Sequence, residues 1–168
     1  MEIINCNLSD LETIFELYNQ AIAYQKIKKC AVWPVFNKLD VQNAITEKRQ
    51  FKIVIKNEIA CVFTYTFKDK SIWGDKDKND AVYIHKIATD SKFKGQNLVG
   101  QIIEFSKQYA RSNAKFFLRM DTVGENTGLI NYYTKFNFNY LGLFQLDHFD
   151  DLPTHYHHAA VSLFELPL

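Results

Sequence analysis

Residues 83–110 read YIHKIATDSKFKGQNLVGQIIEFSKQYA. Apolar and aromatic residues come first, a polar segment with Gly95 follows, and apolar residues then recur at helical spacing from Leu98. This pattern predicts a strand over 81–88, a loop, and a helix over 98–112. Because the first amides of a helix have no internal partner, the loop is a candidate phosphate site, although most such turns bind nothing. Neither G-x-G-x-x-G nor G-x-x-x-x-G-K-[ST] is present, which disfavours dinucleotide and nucleoside triphosphate sites.

Outward from this stretch, the sequence switches between helical and strand periodicity. Ser9 and Glu12 have the spacing of a capping box, so we expect them to start the first helix. Asn57-Glu58 is the expected turn of a hairpin, and the charged segment 73–80 is expected to be an exposed loop. The order βααβββαβαββ predicts a mixed α/β fold on one sheet, with further helices over 11–28, 38–48 and 128–136 and further strands over 3–4, 51–55, 59–67, 116–120, 138–146 and 159–166.

Composition limits the class of protein. The chain has 168 residues, of which 47% are hydrophobic, and this length and apolar content predict one globular domain over 1–168. Twenty basic and nineteen acidic residues leave a net charge of +1, so no field favours a nucleic acid or an anionic membrane as partner. No apolar run reaches the ~18 residues of a membrane span, and the first residues lack the pattern of a signal peptide. We therefore expect a cytoplasmic protein.

No metal is predicted. Cys6, Cys30 and Cys61 are widely spaced, so they indicate buried thiols rather than a disulfide framework or a zinc site. Histidines and aspartates crowd the connection between the last two strands, and two of them would share a face of an extended chain. Their spacing matches no structural zinc pattern, so a polar loop with solvated charges is the better interpretation. The residues concerned are His148, His155, His157, His158, Asp147, Asp150 and Asp151.

Two segments resemble the conserved blocks of the GNAT superfamily of N-acetyltransferases. Residues 87–100 resemble its acetyl-CoA loop, [QR]-x-x-G-x-[GA], and residues 126–138 resemble its second block, in which an Asn precedes a Tyr by seven residues. The order of elements also matches. The resemblance implies the GNAT acyltransferase fold: a mixed, mostly antiparallel sheet of six to seven strands flanked by about four helices. The chain departs from the pattern at Lys94, Asn97, Val99 and Asn137.

The resemblance implies acetyl-CoA as the co-substrate, with no metal. The backbone at Ile87 and Thr89 would pair with the pantetheine, and the amides of residues 95–100 would hold the pyrophosphate. Asn97 tolerates a left-handed backbone and keeps the loop shape, whereas the stiff side chain of Val99 crowds the pyrophosphate and Gly100 restores room. The implied cofactor-binding residues are Ile87, Thr89, Lys94, Gly95, Gln96, Asn97, Leu98, Val99, Gly100 and Asn126.

Two residues are candidates for the proton transfers of acyl transfer to an amine. Tyr133 stands at the position of the family's thiolate-protonating tyrosine, and a phenol keeps its proton at neutral pH. His85 is the candidate base, since strand alternation places it on the face of Tyr83 and Ile87 and imidazole titrates near neutrality. A packed aromatic and a structural histidine are the alternative interpretations. Asp121 or water would otherwise serve as the base.

The implied activity is N-acetylation of a primary amine on a small molecule or peptide, by direct transfer in a ternary complex. A non-catalytic CoA-binding or regulatory domain is the alternative, favoured by Asn97 and Val99. An unrelated structural α/β module is a third hypothesis. The resemblance places two parts of the chain beside the acceptor: the connection between the last two strands, with its histidines and aspartates, and the region around Trp33, Pro34 and Phe36. The aromatic last strands would also allow a homodimer.

Overall fold

The structure is a computed structural model that describes residues 1–146 and 152–168. In these residues the helices are α1 (Leu11–Lys28), α2 (Lys38–Thr46), α3 (Lys70–Trp73), α4 (Leu98–Ser112) and α5 (Thr127–Thr134). The strands are β1 (Glu2–Asn5), β2 (Gln50–Ile55), β3 (Glu58–Thr66), β4 (Ala81–Thr89), β5 (Phe117–Val123), β6 (Asn139–Gln145) and β7 (Ala160–Pro167).

The sheet has the predicted number of strands and the predicted mixture of parallel and antiparallel pairs. Within the described residues its seven strands follow the order β1-β2-β3-β4-β5-β7-β6. β4 and β5 run parallel, whereas β1/β2, β2/β3, β5/β7 and β6/β7 are antiparallel pairs. The mixed, mostly antiparallel α/β fold is therefore confirmed. The fifth helix, beyond the four expected, is the short α3.

The chain divides into two compact units, each with its own apolar core. The first contains residues 1–65 and 85–102, and the second contains residues 66–84 and 103–168. The core of the first unit includes Ile14, Leu17, Tyr18, Val41, Ile45, Val62 and Ala88. The core of the second includes Ile72, Trp73, Tyr83, Val161 and Leu163. A single domain over 1–168 stays a prediction. In the part of the chain described, no helix combines the length and apolarity of a membrane span.

The start of α1 differs from the prediction. A 3₁₀ turn over 8–10 precedes the helix, and the Asn7 side chain accepts a hydrogen bond from the Ser9 amide (2.9 Å). The Asp10 carboxylate reaches back to the Asn7 amide (2.8 Å), which completes a capping box. The predicted Ser9/Glu12 box is therefore wrong, because the extra turn moves the cap two residues towards the N-terminus.

A buried ion pair joins the beginning of α1 to β2 in the first unit. Lys52 Nζ lies 2.7 Å from both carboxylate oxygens of Asp10, and each side chain is only 10% exposed. The ammonium and the Asn7 amide together satisfy the carboxylate. Such pairs are costly to break from one side, since the remaining charge stays buried without its counterion.

The β2–β3 hairpin turns one residue earlier than predicted. Lys56 and Asn57 are the two residues between the strands, and both have left-handed backbones (φ 49° and 65°). Two successive left-handed residues form the type I′ turn, which matches the twist of the flanking strands. The asparagine of the predicted pair is thus the second turn residue, and Glu58 already belongs to β3.

The expected exposed loop over 73–80 is partly wrong. Trp73 is 3% exposed and ends the short helix α3 in the second unit. Its ring lies 5.7 Å from that of Tyr83, and the guanidinium carbon of Arg119 lies 5.0 Å from the indole centroid. Arg119 also binds Glu165 through Nε (2.8 Å). The charged residues around Trp73 favoured an exposed loop in the sequence prediction. In the structure, the packing of the Trp73 ring on Tyr83 and Arg119 buries this residue instead.

The cysteines divide into two kinds. Cys6 and Cys61 are buried, as predicted, and burial raises their thiol pKa values to about 12 and about 11. Cys30 is exposed, which corrects the expectation that all three are buried. It follows the end of α1, outside either apolar core.

Candidate active site

The second half of β4 departs from a regular strand. Lys86 has a left-handed backbone (φ 54°), which is uncommon for a side chain with a Cβ and breaks the alternation of faces. The irregular residue lies between His85 and Ile87, whereas Tyr83 and His85 both precede it, so the shared face of these three residues stays a prediction. Tyr83 is completely buried in the second unit, whereas His85 and Ile87 are half-buried residues of the first. The His85 carbonyl accepts a hydrogen bond from Thr64 Oγ1 (3.3 Å).

The end of β4 is anchored to its neighbours in the first unit. Thr89 Oγ1 donates to Cys61 Sγ (3.3 Å), and the Asp90 amide donates to the Ala60 carbonyl (2.9 Å). The Asp90 side chain then caps the following 3₁₀ turn by accepting from the Lys92 amide (2.8 Å). These contacts fix where the strand ends and the candidate phosphate loop begins.

Two left-handed residues shape the loop before α4. Gly95 has φ 81° and Asn97 has φ 55°, so the prediction that Asn97 tolerates this backbone is confirmed. Gly95, Gln96 and Asn97 are exposed, whereas Leu98 is buried and holds the first turn of α4 against the protein. Lys94 Nζ lies 3.9 Å from the ring centroid of Tyr24 on α1, a cation–π contact. The loop thus presents exposed backbone at the beginning of a 15-residue helix.

The missing side chain of Gly100 leaves space for the Asn97 side chain, which the sequence did not indicate. A Cβ at this position would lie 2.6 Å from both Oδ1 and Nδ2 of Asn97. The Asn97 side chain therefore occupies the space that the missing Cβ leaves. Val99, beside it, is half-buried.

The second sequence block forms α5 in the second unit. Asn126 is its N-cap and accepts a hydrogen bond from the Leu129 amide (3.1 Å). Asn137, after the helix, has a left-handed backbone (φ 66°), which a glycine would adopt without strain. Capping is thus the local role of Asn126, and binding of cofactor by this residue stays a prediction.

Tyr133 is held in an aromatic environment on α5. It is 9% exposed, and its ring lies 5.2 Å from Phe164 and 5.6 Å from Tyr132. Burial raises the pKa of the Tyr133 phenol well above its ordinary value, and the neighbouring Tyr132 and Asp121 act in the same direction. The phenol consequently keeps its proton throughout the neutral range.

Sequence reasoning missed the polar partners of Asp121. Tyr156 donates a hydrogen bond from its hydroxyl to Asp121 Oδ2 (2.7 Å), and burial and Asp121 raise the pKa of Tyr156. Burial, Asp121 and Asp77 raise the pKa of Asp69 to about 8. Asp69 and Asp77 are eight residues apart, but Asp121 lies much farther along the chain, and no local motif connects the three. Together with Tyr156 they form a half-buried polar group in the second unit.

The histidines that are described do not follow the extended geometry expected of them. His155 lies in a 3₁₀ turn over 154–156 and packs on Tyr156 (ring centroids 4.3 Å apart). Nε2 of His157 lies 2.9 Å from the Leu152 carbonyl oxygen. Because the turn interrupts the extended chain, the predicted shared face of His155 and His157 is wrong. Asp147, His148, Asp150 and Asp151 lie outside the described residues.

Comparisons with known proteins agree with this architecture. Residues 17–138 match the family model of the acetyltransferase (GNAT) family. The uncharacterized N-acetyltransferase YesJ of Bacillus subtilis (strain 168) is 24% identical over 74 residues, which are 44% of this chain and 41% of that protein. The chain thus aligns with less than half of that relative's length.

Solved structures share the whole fold. An acetyltransferase of the GNAT family from Listeria monocytogenes 4b F2365 has a TM-score of 0.79 at 18% identity, covering 99% of this chain and 94% of that one. The structure of yncA from Salmonella typhimurium with its cofactor acetyl-CoA has a TM-score of 0.71 at 14% identity, covering 99% and 93%. The shared fold and the family match together define the class of protein as an acetyltransferase. This chain belongs to the GNAT family of acetyltransferases.

Proposed function

We propose that the chain transfers the acetyl group of acetyl-CoA to the primary amine of a small molecule or peptide. The observation that carries this proposal is the loop before α4, where left-handed Gly95 and Asn97 lead exposed backbone into the helix. Amides at a helix N-terminus favour a phosphate group, because they lack internal partners and lie at the positive end of the helix dipole. Ile87, Thr89 and the loop residues 94–100 would hold the cofactor, together with Asn126.

The proposed chemistry is one direct transfer. The amine nitrogen attacks the thioester carbonyl carbon, a tetrahedral intermediate forms, and the carbon–sulfur bond breaks. The departing thiolate takes the proton of the Tyr133 hydroxyl, and the proton lost by the amine passes to His85, to Asp121 or to water. Burial keeps the Tyr133 phenol protonated at neutral pH, as this role requires, although the raised pKa also makes the phenol a weaker acid. No step requires a metal.

The experiment that tests this function measures thiol release from acetyl-CoA with a panel of amines, amino acids, polyamines and peptides. Tyr133→Phe keeps the buried ring but removes the proton, so we expect kcat to fall by about 10² or more. Calorimetry should give cofactor affinity close to that of the unchanged protein. Tyr132→Phe is the matched control, because its ring neighbours Tyr133 but is 37% exposed. Near-normal turnover in Tyr133→Phe would refute the acid assignment.

A non-catalytic CoA-binding or regulatory domain is the second candidate, favoured by the half-buried Val99 beside the loop. Calorimetry and the thiol assay together separate the two. Heat on adding acetyl-CoA with no thiol release from any amine would favour the regulatory domain. No heat at millimolar acetyl-CoA would exclude the enzyme. A cytoplasmic location and a homodimer stay predictions.

A further inference from the structure

Lys86 is an unusual lysine in the first unit. It follows the candidate base His85 and precedes Ile87, and its left-handed backbone (φ 54°) interrupts β4. The side chain is half-buried, and Nζ lies 4.6 Å from the ring centroid of Phe36. A strained backbone in a strand persists only where surrounding contacts hold it, and such residues concentrate at functional sites.

The ammonium of Lys86 has no counterion within the described residues. Its nearby charges are Asp40 on α2 and Arg49, and neither forms an ion pair with it in residues 1–146 or 152–168. Arg49 instead pairs with Glu47 (2.6 Å). Burial lowers the pKa of Lys86, Asp40 opposes that effect, and Arg49 adds to it. The contact with Phe36 therefore has to stabilise a partly dehydrated cation.

Lys52 in the same unit shows the contrast. It too is a β-strand lysine removed from water, but Asp10 binds its ammonium with both oxygens at 2.7 Å. A face-on aromatic ring attracts a cation but accepts no hydrogen bond from the ammonium, unlike the carboxylate of Asp10. Lys86 thus retains donors for an anion that this chain does not itself supply in the described residues.

The surface next to Lys86 is aromatic. Phe36 packs on buried Tyr18 (4.8 Å) and on Trp33 (5.6 Å). Trp33 and Phe36 are each partly exposed, and the neighbouring Val35 is 81% exposed. An apolar ring surface beside a cation with free donors is complementary to a molecule that has an apolar part and an anionic group.

We propose that Lys86 binds a carboxylate of the acceptor, so that the amine acetylated by this chain also carries a carboxylate and an apolar side chain. Amino acids and the C-terminal residues of short peptides belong to this class, whereas polyamines do not. The proposal rests on the proposed function, because it assigns the acceptor of that reaction. Lys86 recognises the acceptor, and its ammonium takes no part in the proton transfers.

A binding experiment tests the contact without catalysis. In protein labelled with ε-¹³C-lysine, the Lys86 signal is assigned by its loss in Lys86→Gln and followed by NMR. We expect 3-phenylpropanoate to shift this signal saturably, and 3-phenylpropanol, which has the same ring without the charge, to leave it in place. The signal of Lys52 should not move with either probe. Equal shifts with both probes, or none with the carboxylate at tens of millimolar, would overturn the proposal.

A kinetic comparison tests the specificity. We expect phenylalanine to be acetylated with a kcat/KM at least about tenfold above that of phenylalaninamide, a ratio worth about 1.4 kcal/mol. The ratio should fall towards one in Lys86→Gln and be retained in Lys86→Arg. A ratio that Lys86→Gln does not change, or efficient acetylation of polyamines alone, contradicts the proposal. Calorimetry with acetyl-CoA tests the proposed function separately. If acetyl-CoA does not bind, the proposed function fails, but the NMR result on carboxylate binding is unaffected.

Discussion

Replacing Lys52 by Met should destabilise the first unit strongly. The substitution keeps a long unbranched side chain but removes the ammonium that lies 2.7 Å from both oxygens of Asp10. The Asp10 side chain, which is 10% exposed, would lose its counterion but keep the hydrogen bond from the Asn7 amide. A buried charge left without its counterion costs about 3–5 kcal/mol of folding free energy.

The magnitude can be converted into a melting temperature. For a chain of 168 residues, 1 kcal/mol corresponds to about 2–4 °C in Tm. Lys52→Met should therefore lower Tm by roughly 6–20 °C. Removing both charges in Asp10→Leu/Lys52→Met should recover much of that loss, except for about 1 kcal/mol from the lost bond to the Asn7 amide.

Urea and thermal unfolding, followed by circular dichroism, measure these two variants and the single variant Asp10→Leu. The matched control is Lys92→Met, because Lys92 lies 3.6 Å from Glu58 in a pair whose side chains are 72% and 59% exposed. That variant should change stability by less than about 0.5 kcal/mol. The reasoning fails if Lys52→Met costs less than about 1 kcal/mol, or if the double variant is as unstable as the sum of the single ones.

Three further predictions concern the loop and the titrating groups. Val99→Gly should tighten acetyl-CoA binding several-fold in calorimetry, and Asn97→Gly should change it less; equal or weaker binding in both means that the loop is already well shaped. His85→Ala should abolish the acidic limb of the pH–rate profile, and an unchanged profile gives the base role to Asp121 or water. Because burial and neighbouring aspartates raise the pKa of Asp69 from 3.8 to about 8, the folded state keeps a proton that the unfolded state loses. The free energy of unfolding should therefore fall by about 1.4 kcal/mol per pH unit between pH 3.8 and about pH 8. Urea unfolding at pH 5, 6 and 7 measures this dependence on pH, which should be weaker in Asp69→Asn. An equal dependence in the two proteins would contradict the raised pKa.

Periodicity predicted the fold well where one face of an element is buried. The helix over 98–112 has the predicted bounds, because its apolar residues recur at one spacing from beginning to end. The four-residue helix α3 is too short for any period, and the burial of Trp73 depends on Tyr83 and Arg119, which are distant in sequence. Local pattern therefore fixes long elements and leaves such short segments to tertiary contacts.

The candidate site was predictable only in part. The left-handed backbone of Asn97 follows from residue type, since Asn adopts that region more readily than other non-glycine residues. Nothing in the sequence distinguishes Lys86 from an ordinary strand residue, so the left-handed backbone between His85 and Ile87 could not be predicted. The bond from Tyr156 to Asp121 joins residues 35 apart, and only the folded chain brings them together.

The unequal burial of the three cysteines has a practical effect on any assay that detects released CoA by its thiol. Disulfide reagents react with thiolates that they can reach, and the buried Cys6 and Cys61 hold their protons up to a pKa of about 12 and about 11. Exposed Cys30 is accessible to the same reagent. The protein itself should therefore consume one equivalent of reagent per chain before turnover begins. Cys30→Ser should remove that background while leaving both apolar cores intact, since Cys30 belongs to neither.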